Sequence, residues 1–244
     1  MTPFLGALVG NVIIGLSLVI LIFILRFFKK QLVKYIDYFV AITVGVLLGV
    51  VFLGFLPEII ESGMHGHEIG IYILVGLFVF YVLELVLHHH HCKDLSNKDE
   101  HHQEHENQTL IFIGTFLHNI LHGVILFSAF AISTEFGIAT TIAVLLHSIP
   151  QNTANYIMNH KKESFVIIAA LGGIIGAIIL FPFKEFLLTN KFIIIAMMAG
   201  ALSYLALTDI LPEVKNKGGL KIKLFYLLFM LLGLLFVFLL NHGH

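Results

Sequence analysis

Eight runs of some twenty apolar residues, with little between them, leave this chain few ways to fold. A helical membrane span needs roughly 20 predominantly apolar residues. Stretches of that kind lie at about 4–27, 38–60, 69–90, 109–132, 136–158, 164–187, 191–213 and 221–241. In hydrocarbon every backbone N–H and C=O must be satisfied internally, so each stretch is expected to be a helix. The expectation is an all-α membrane protein of eight transmembrane helices. Composition agrees: 12% of residues are charged, 58% are hydrophobic and the mean hydropathy is +0.96, whereas a soluble domain carries about 25% charged residues. The net charge of -1 gives no electrostatic reason to expect nucleic acid as a partner. A single cysteine, Cys92, excludes an internal disulfide. The first apolar run lacks a basic leader and a small-residue cleavage site, so it reads as a mature span.

The basic residues set an expected orientation, because cytoplasmic loops are enriched in Lys and Arg. With loops assigned alternately to two sides, 12 of the 14 Lys and Arg residues fall on one side, and only Lys184 and Lys191 fall on the other. The rich side is read as the cytoplasm, which puts both termini outside. The substantial connection, 88–108, then becomes a His-rich cytoplasmic loop. It holds His88, His89, His90, His91, His101, His102 and His105 among acidic residues. Such tracts read as metal-binding, and this one has too few apolar residues to pack a core of its own.

Two of the apolar runs carry nearly the same polar interruption: His118-Asn119-Ile120-Leu121-His122-Gly123 and His147-Ser148-Ile149-Pro150-Gln151-Asn152. Ionisable residues deep in a membrane are costly and mark partners or function. His118 and His122 stand four residues apart, as do His147 and Gln151, so each pair shares a helix face. Two facing helices of this kind offer nitrogen and oxygen ligands to one divalent metal ion. Asn119 is turned about 100° from His118, toward a second ion or a neighbouring helix. Pro150 removes a backbone donor, which frees the Leu146 carbonyl and can kink the helix.

Other polar residues fit a path through the membrane. Glu84 lies near the inner end of the third run, and Asp209 lies one turn from Glu213 in the seventh. These three are candidate inner-path ligands, or snorkelling and solvated helix ends. Glu58, Glu61, His65, His67 and Glu68 form either an outer entrance or an ordinary polar loop. Gly172, Gly173, Gly176 and Ala177 make a small-residue face for static packing, for sliding, or for a second copy of the chain.

The second and seventh runs echo each other. Gly45 and Phe55-Leu56-Pro57-Glu58 recur at a constant offset of 155 as Gly200 and Ile210-Leu211-Pro212-Glu213. The two runs point in opposite directions, as in the inverted repeats of secondary transporters.

These residues together resemble the ZIP (Zrt/Irt-like) family of divalent metal transporters. The carriers are Phe52-Leu53-Gly54-Phe55-Leu56-Pro57-Glu58, His118-Asn119 with Gly123, His147 with Ile149-Pro150, and Ala206-Leu207-Thr208-Asp209-Ile210-Leu211-Pro212-Glu213. The resemblance implies a single transmembrane domain over 1–244 in a three-plus-two-plus-three arrangement. The first three helices would occupy 1–90, a central metal-carrying pair 109–158, and the last three 164–244. It implies a secondary transporter moving Zn2+ or a related cation toward the cytosol, with the metal as substrate and no cofactor, and movement of the central helices against the outer ones. The chain departs from the family pattern at His122, Ser148 and Gln151, where carboxylates or histidine are usual, and at Gly54, where histidine is common. A site of neutral imidazoles and amides favours Zn2+, Cu2+ or Ni2+ over Mn2+. The missing carboxylates also suggest a transport-deficient metal sensor or store. A third reading, an intramembrane metalloenzyme, lacks a general base, because residues 119–121 are Asn, Ile and Leu. The Lys- and Ile-rich composition points to a bacterial inner membrane.

Overall fold

A computed structural model describes residues 2–92, 100–158, 163–215 and 218–242. The side chains of several residues inside its helices, including those at 83–84, 86–92, 100–112, 209 and 213, lie outside the description. All regular structure among the described residues is helical. Helix α1 (Pro3–Gly49) continues through a π-helical turn, Val50–Phe55, into α2 (Leu56–Glu61). Next come α3 (Gly66–Cys92), α4 (Glu100–Ile132), α5 (Thr134–Met158), α6 (Glu163–Leu180) and α7 (Lys184–Thr189). Helix α8 (Lys191–Tyr204) runs through a second π-helical turn, Leu205–Ile210, into α9 (Leu211–Lys215), and α10 (Leu220–His242) closes the chain.

Local chemistry starts and divides these elements. Thr2 accepts a hydrogen bond from the Leu5 amide at 3.3 Å, and Pro3 opens α1, where its missing N–H is not needed. Helix α1 bends at Phe28, which leaves helical geometry at φ -121°, ψ 23°. The bend separates two spans, Pro3–Phe28 and Lys34–Glu61. Ser133 caps α5 by accepting from the Phe136 amide at 3.2 Å. It is the single residue between α4 and α5, so the two form a tight antiparallel hairpin.

Five helical stretches are long and apolar enough to cross a membrane: Pro3–Phe28, Lys34–Glu61, Ile167–Thr189, Lys191–Thr208 and Leu220–Leu240. The other three expected spans are helical but fall short among the described residues. Apolar helix is found there over Gly66–Val82 and Thr115–Ala131, while α5 is interrupted by its own polar side chains. The multi-pass membrane class stands on the five. The exposed faces suit lipid: α10 turns Leu224, Leu228, Leu231 and Leu235 outward, each about half exposed.

The helices sort into two packed groups. The first half of α1 packs with α4, α5 and α6, and the second half packs with α10, while α3 packs on α8. Glycine sets the approach distance. A Cβ on Gly123 would run into the Gly173 carbonyl, and one on Gly176 into the Ile120 carbonyl, so α4 and α6 touch through their backbones. The small-residue face of α6 is therefore filled by α4 of the same chain, and the dimer-surface reading of that face is corrected.

The expected loop at 88–108 is also shorter than the hydropathy suggested. Helix α3 runs on to Cys92 and α4 begins at Glu100. The backbone at His88, His89, His90, His91, His101, His102 and His105 is thus helical, and their side chains lie outside the described residues. A helix need not stop where its apolar stretch stops, because its solvated end turns can carry polar side chains.

Candidate metal centre

The α4–α5 hairpin decides what meets. His118 lies 15 residues before Ser133 and His147 lies 14 after it. At about 1.5 Å of rise per residue both sit about 21 Å from the turn, at matching height on facing helices. The Nε2 atoms of His118 and His147 are 3.3 Å apart. His122, one turn along α4, joins them: ring centroids are 4.5 Å apart for His118–His122, 5.5 Å for His118–His147 and 5.8 Å for His122–His147. One nitrogen from each ring lies within 4.8 Å of the other two. His122 and His147 are buried, and the Nε2 of His122 has no hydrogen-bond partner among the described residues.

This spacing has a direct chemical meaning. Tetrahedral zinc holds imidazole nitrogens at about 2.0–2.1 Å, which puts two such nitrogens about 3.3 Å from each other. His118 and His147 already stand at that separation, and His122, whose nitrogen lies within 4.8 Å of theirs, would close by at most about 1.5 Å to complete three ligands. Such a site leaves a fourth position open. Among the described residues no carboxylate belongs to the cluster.

The remaining predicted ligands separate. Asn119 donates from Nδ2 to the Ala169 carbonyl on α6 at 2.9 Å, so it ties α4 to its neighbour. The Oε1 of Gln151 is buried and has no partner among the described residues, and the same holds for Ser148 Oγ and Asn152 Oδ1 on the same stretch of α5. These three residues fall within an arc of about 100° on the helix. Helix α5 stays helical through Pro150. The side chains of Glu84, Asp209 and Glu213 lie outside the described residues. In the outer loop the His65 and His67 rings stack at 6.0 Å, and the His65 amide donates to Glu68 Oε2 at 3.3 Å.

Motif reading did not find the neighbours that frame the triad. Phe80 of α3 stands edge-on to His118 at 6.3 Å, and Tyr204 of α8 lies 6.1 Å from Phe80. Phe80 is one of 23 phenylalanines in the chain, and no sequence signal separates it from lipid-facing ones such as Phe78.

Fold and site together define a multi-pass helical membrane protein with a buried imidazole triad suited to a divalent metal. The family model described as ZIP Zinc transporter matches residues 2–109, which covers the first three helical spans and stops before the triad. The chain is 23% identical to zinc transporter ZIP13 of Pongo abelii, over 85% of this chain and 69% of that protein. It is 25% identical to an uncharacterized zinc transporter of Schizosaccharomyces pombe, over 88% of this chain and 64% of that protein. A third match, 28% identical, pairs 45% of this chain with 14% of zinc transporter ZIP10 of Homo sapiens. The ZIP resemblance carried by the motifs is thus found again by a family model over residues 2–109 and by relatives named zinc transporters at 23–28% identity, matched over 14–69% of their own length.

Proposed function

We propose that this chain is a ZIP-like secondary transporter that moves a divalent cation, Zn2+ foremost, toward the cytosol through the His118–His122–His147 triad. The observation that carries the reading is the 3.3 Å separation of two imidazole nitrogens from facing helices, with a third imidazole alongside. The eight-span topology, with both termini outside and inverted halves around α4 and α5, belongs to this proposal. The 12-to-2 segregation of basic residues and the 155-residue echo support it. Gln151 is a fourth ligand by virtue of its unpartnered Oε1. Asn119 is retained as a ligand through its remaining oxygen. Glu84, Asp209 and Glu213 are assigned to the inner path by their positions in sequence, and the seven histidines at 88–105 to a cytoplasmic metal-receiving segment. The metal is cargo and not a cofactor. The bacterial inner membrane remains a proposal resting on composition, since the relatives named above are eukaryotic. A homodimer is part of the proposal as well, with the lipid-exposed face of α3 or α10 in place of α6.

The test is zinc uptake into proteoliposomes by the wild type and by His118→Ala. Uptake that depends on the wild-type protein and drops to the protein-free rate in the variant supports transport through the triad. Equal uptake by the two proteins would remove the triad from the path.

One observation favours a second reading, a metal sensor or store. A dication placed among three neutral ligands keeps its full charge in a low-dielectric site, which opposes easy passage. Zinc binding by calorimetry without flux in proteoliposomes would select that reading.

A further inference from the structure

The echo between the second and seventh runs extends into backbone geometry that hydropathy does not reveal. Both runs leave α-helical geometry at equivalent residues, Val50–Phe55 and Leu205–Ile210. In each, the amide at the end of the widened turn reaches five residues back: Leu56 donates to Val51 O, and Leu211 to Ala206 O. A proline follows at once in both, Pro57 and Pro212. A proline ring clashes with the carbonyl four residues earlier, and widening the turn moves that carbonyl away. After the short helices α2 and α9 come the two positive-φ glycines among the described residues, Gly63 at 83° and Gly218 at 74°. Leu211, Ala206, Pro212 and Gly218 stand 155 residues after Leu56, Val51, Pro57 and Gly63.

Upstream of each widened turn the chain is clamped. A Cβ on Gly45 would collide with the Met230 carbonyl of α10, and one on Gly200 with the Ile73 carbonyl of α3. The partners answer in kind, with Gly233 against the Ile42 carbonyl and Gly76 against the Met197 carbonyl. Four backbone-to-backbone contacts therefore fix the helices just before the turns. The first turn also presses on the helix that carries His147. A Cβ on Gly54 would enter the Phe136 ring of α5, and the Phe55 and Phe136 rings are 6.2 Å apart.

We propose that α2 and α9 are a matched pair of levers, each swivelling between a π-helical turn and a left-handed glycine, that open and close the two ends of the route to the triad. A π-helical turn holds one residue more than an α-helical turn, so its relaxation rotates the following helix by about 100° and shifts it by about 1.5 Å. The levers carry Glu58 and Glu213, and the clamped segments before them stay still. The gating role rests on the transport reading given above. The swivelling does not, and the two are measured separately.

The experiment uses the full chain in a Cys92→Ser background. Nitroxide pairs at Ile60 with Leu231, and at Lys215 with Leu74, report each lever against its clamped frame by pulsed electron–electron distance measurement, without metal or flux. Two distance populations are expected for each pair in the parent protein. Pro57→Ala and Gly63→Ala should reduce the first pair to one population and leave the second unchanged, and Pro212→Ala and Gly218→Ala should do the reverse. One narrow population for both pairs in the parent, unaltered by these variants, overturns the swivel. In proteoliposomes each variant should lower zinc uptake at least fivefold, with zinc affinity by calorimetry within twofold of the parent. Uptake within twofold of the parent in all four variants overturns the gating role. If the parent itself carries no zinc, the transport reading and the gating role fall together, and the distance result alone decides the swivel.

Discussion

The two helical groups bury different things. The group made by the first half of α1 with α4, α5 and α6 holds nearly every buried polar side chain: Asn11, Asn119, His122, Ser128, Thr140, Thr141, His147, Ser148, Asn152 and Thr153. Among the described residues, the group made by the second half of α1 with α3, α8 and α10 buries one, Thr43, whose hydroxyl donates to the Phe39 carbonyl of its own helix at 2.8 Å. In the polar group several side chains also satisfy themselves on the preceding turn, among them Thr141 on Gly137 O and Thr153 on Ile149 O. Among the described residues five atoms there find no partner: His122 Nε2, Thr140 Oγ1, Ser148 Oγ, Gln151 Oε1 and Asn152 Oδ1. Leaving such groups unpaired in a buried site opposes stability by roughly 1–3 kcal/mol each. An apolar core would avoid that cost; the deficit runs along α5 from Thr140 to Asn152 and includes His122 of the triad on α4. Among the described residues the glycine-clamped group carries no such deficit, and it reads as the frame.

The contrast breaks most readily at the triad. Removing an outer-shell partner of a metal ligand typically lowers affinity 10- to 100-fold, so His118→Ala, which deletes a ligand, is expected to lower zinc affinity by more than about 100-fold. Calorimetry in detergent measures it. His122→Leu is the sharper variant. It should abolish tight zinc binding while leaving the metal-free thermal midpoint unchanged or raised, because it replaces an unpartnered buried nitrogen with an apolar side chain. A marked fall in that midpoint would mean that His122 is structural.

The frame should respond in the opposite sense. Gly45→Ala and Gly200→Ala each place a methyl group against a backbone carbonyl, and overpacking of this kind costs about 1–3 kcal/mol. Their thermal midpoints should fall with zinc affinity retained in the folded fraction. Loss of affinity without loss of stability would erase the division between frame and site. The smallest expected effect is at the junction of α4 and α6. Asn119→Leu removes the hydrogen bond to Ala169 O and should lower stability by about 0.5–1.5 kcal/mol. A zinc affinity equal to the parent's would remove Asn119 from the proposed ligands, and a drop as large as that of His118→Ala would support its oxygen as one.

The apolar runs alone placed the helices well. Six of the expected spans, from 69–90 to 221–241, fall inside observed helical segments to within a few residues, and the bend at Phe28 separates the first two. This works because helix formation and the depth of a polar interruption are local properties of a stretch of chain. The spacing of His118 and His122 was legible for the same reason: four residues on a helix share a face wherever the helix goes. The helical ends at His88–Cys92 and Glu100–Glu106 were not legible from hydropathy, since polar end turns carry no apolar signal.

Convergence was beyond a local reading. Whether Asn119 faced an ion or a neighbour depended on where α6 came to lie, and its amide found the Ala169 carbonyl. Whether the small face of α6 met another copy or its own chain depended on how α4 crossed it, and Gly123, Gly173 and Gly176 answer that. The one-residue hairpin at Ser133 brought His118 and His147 to the same height, and tertiary packing then set their nitrogens 3.3 Å apart. Sequence determines which groups sit deep in the lipid and on which helix face. Only the packing of helices against each other decides which of those groups meet, because contacts between helices depend on crossing geometry that no single segment contains.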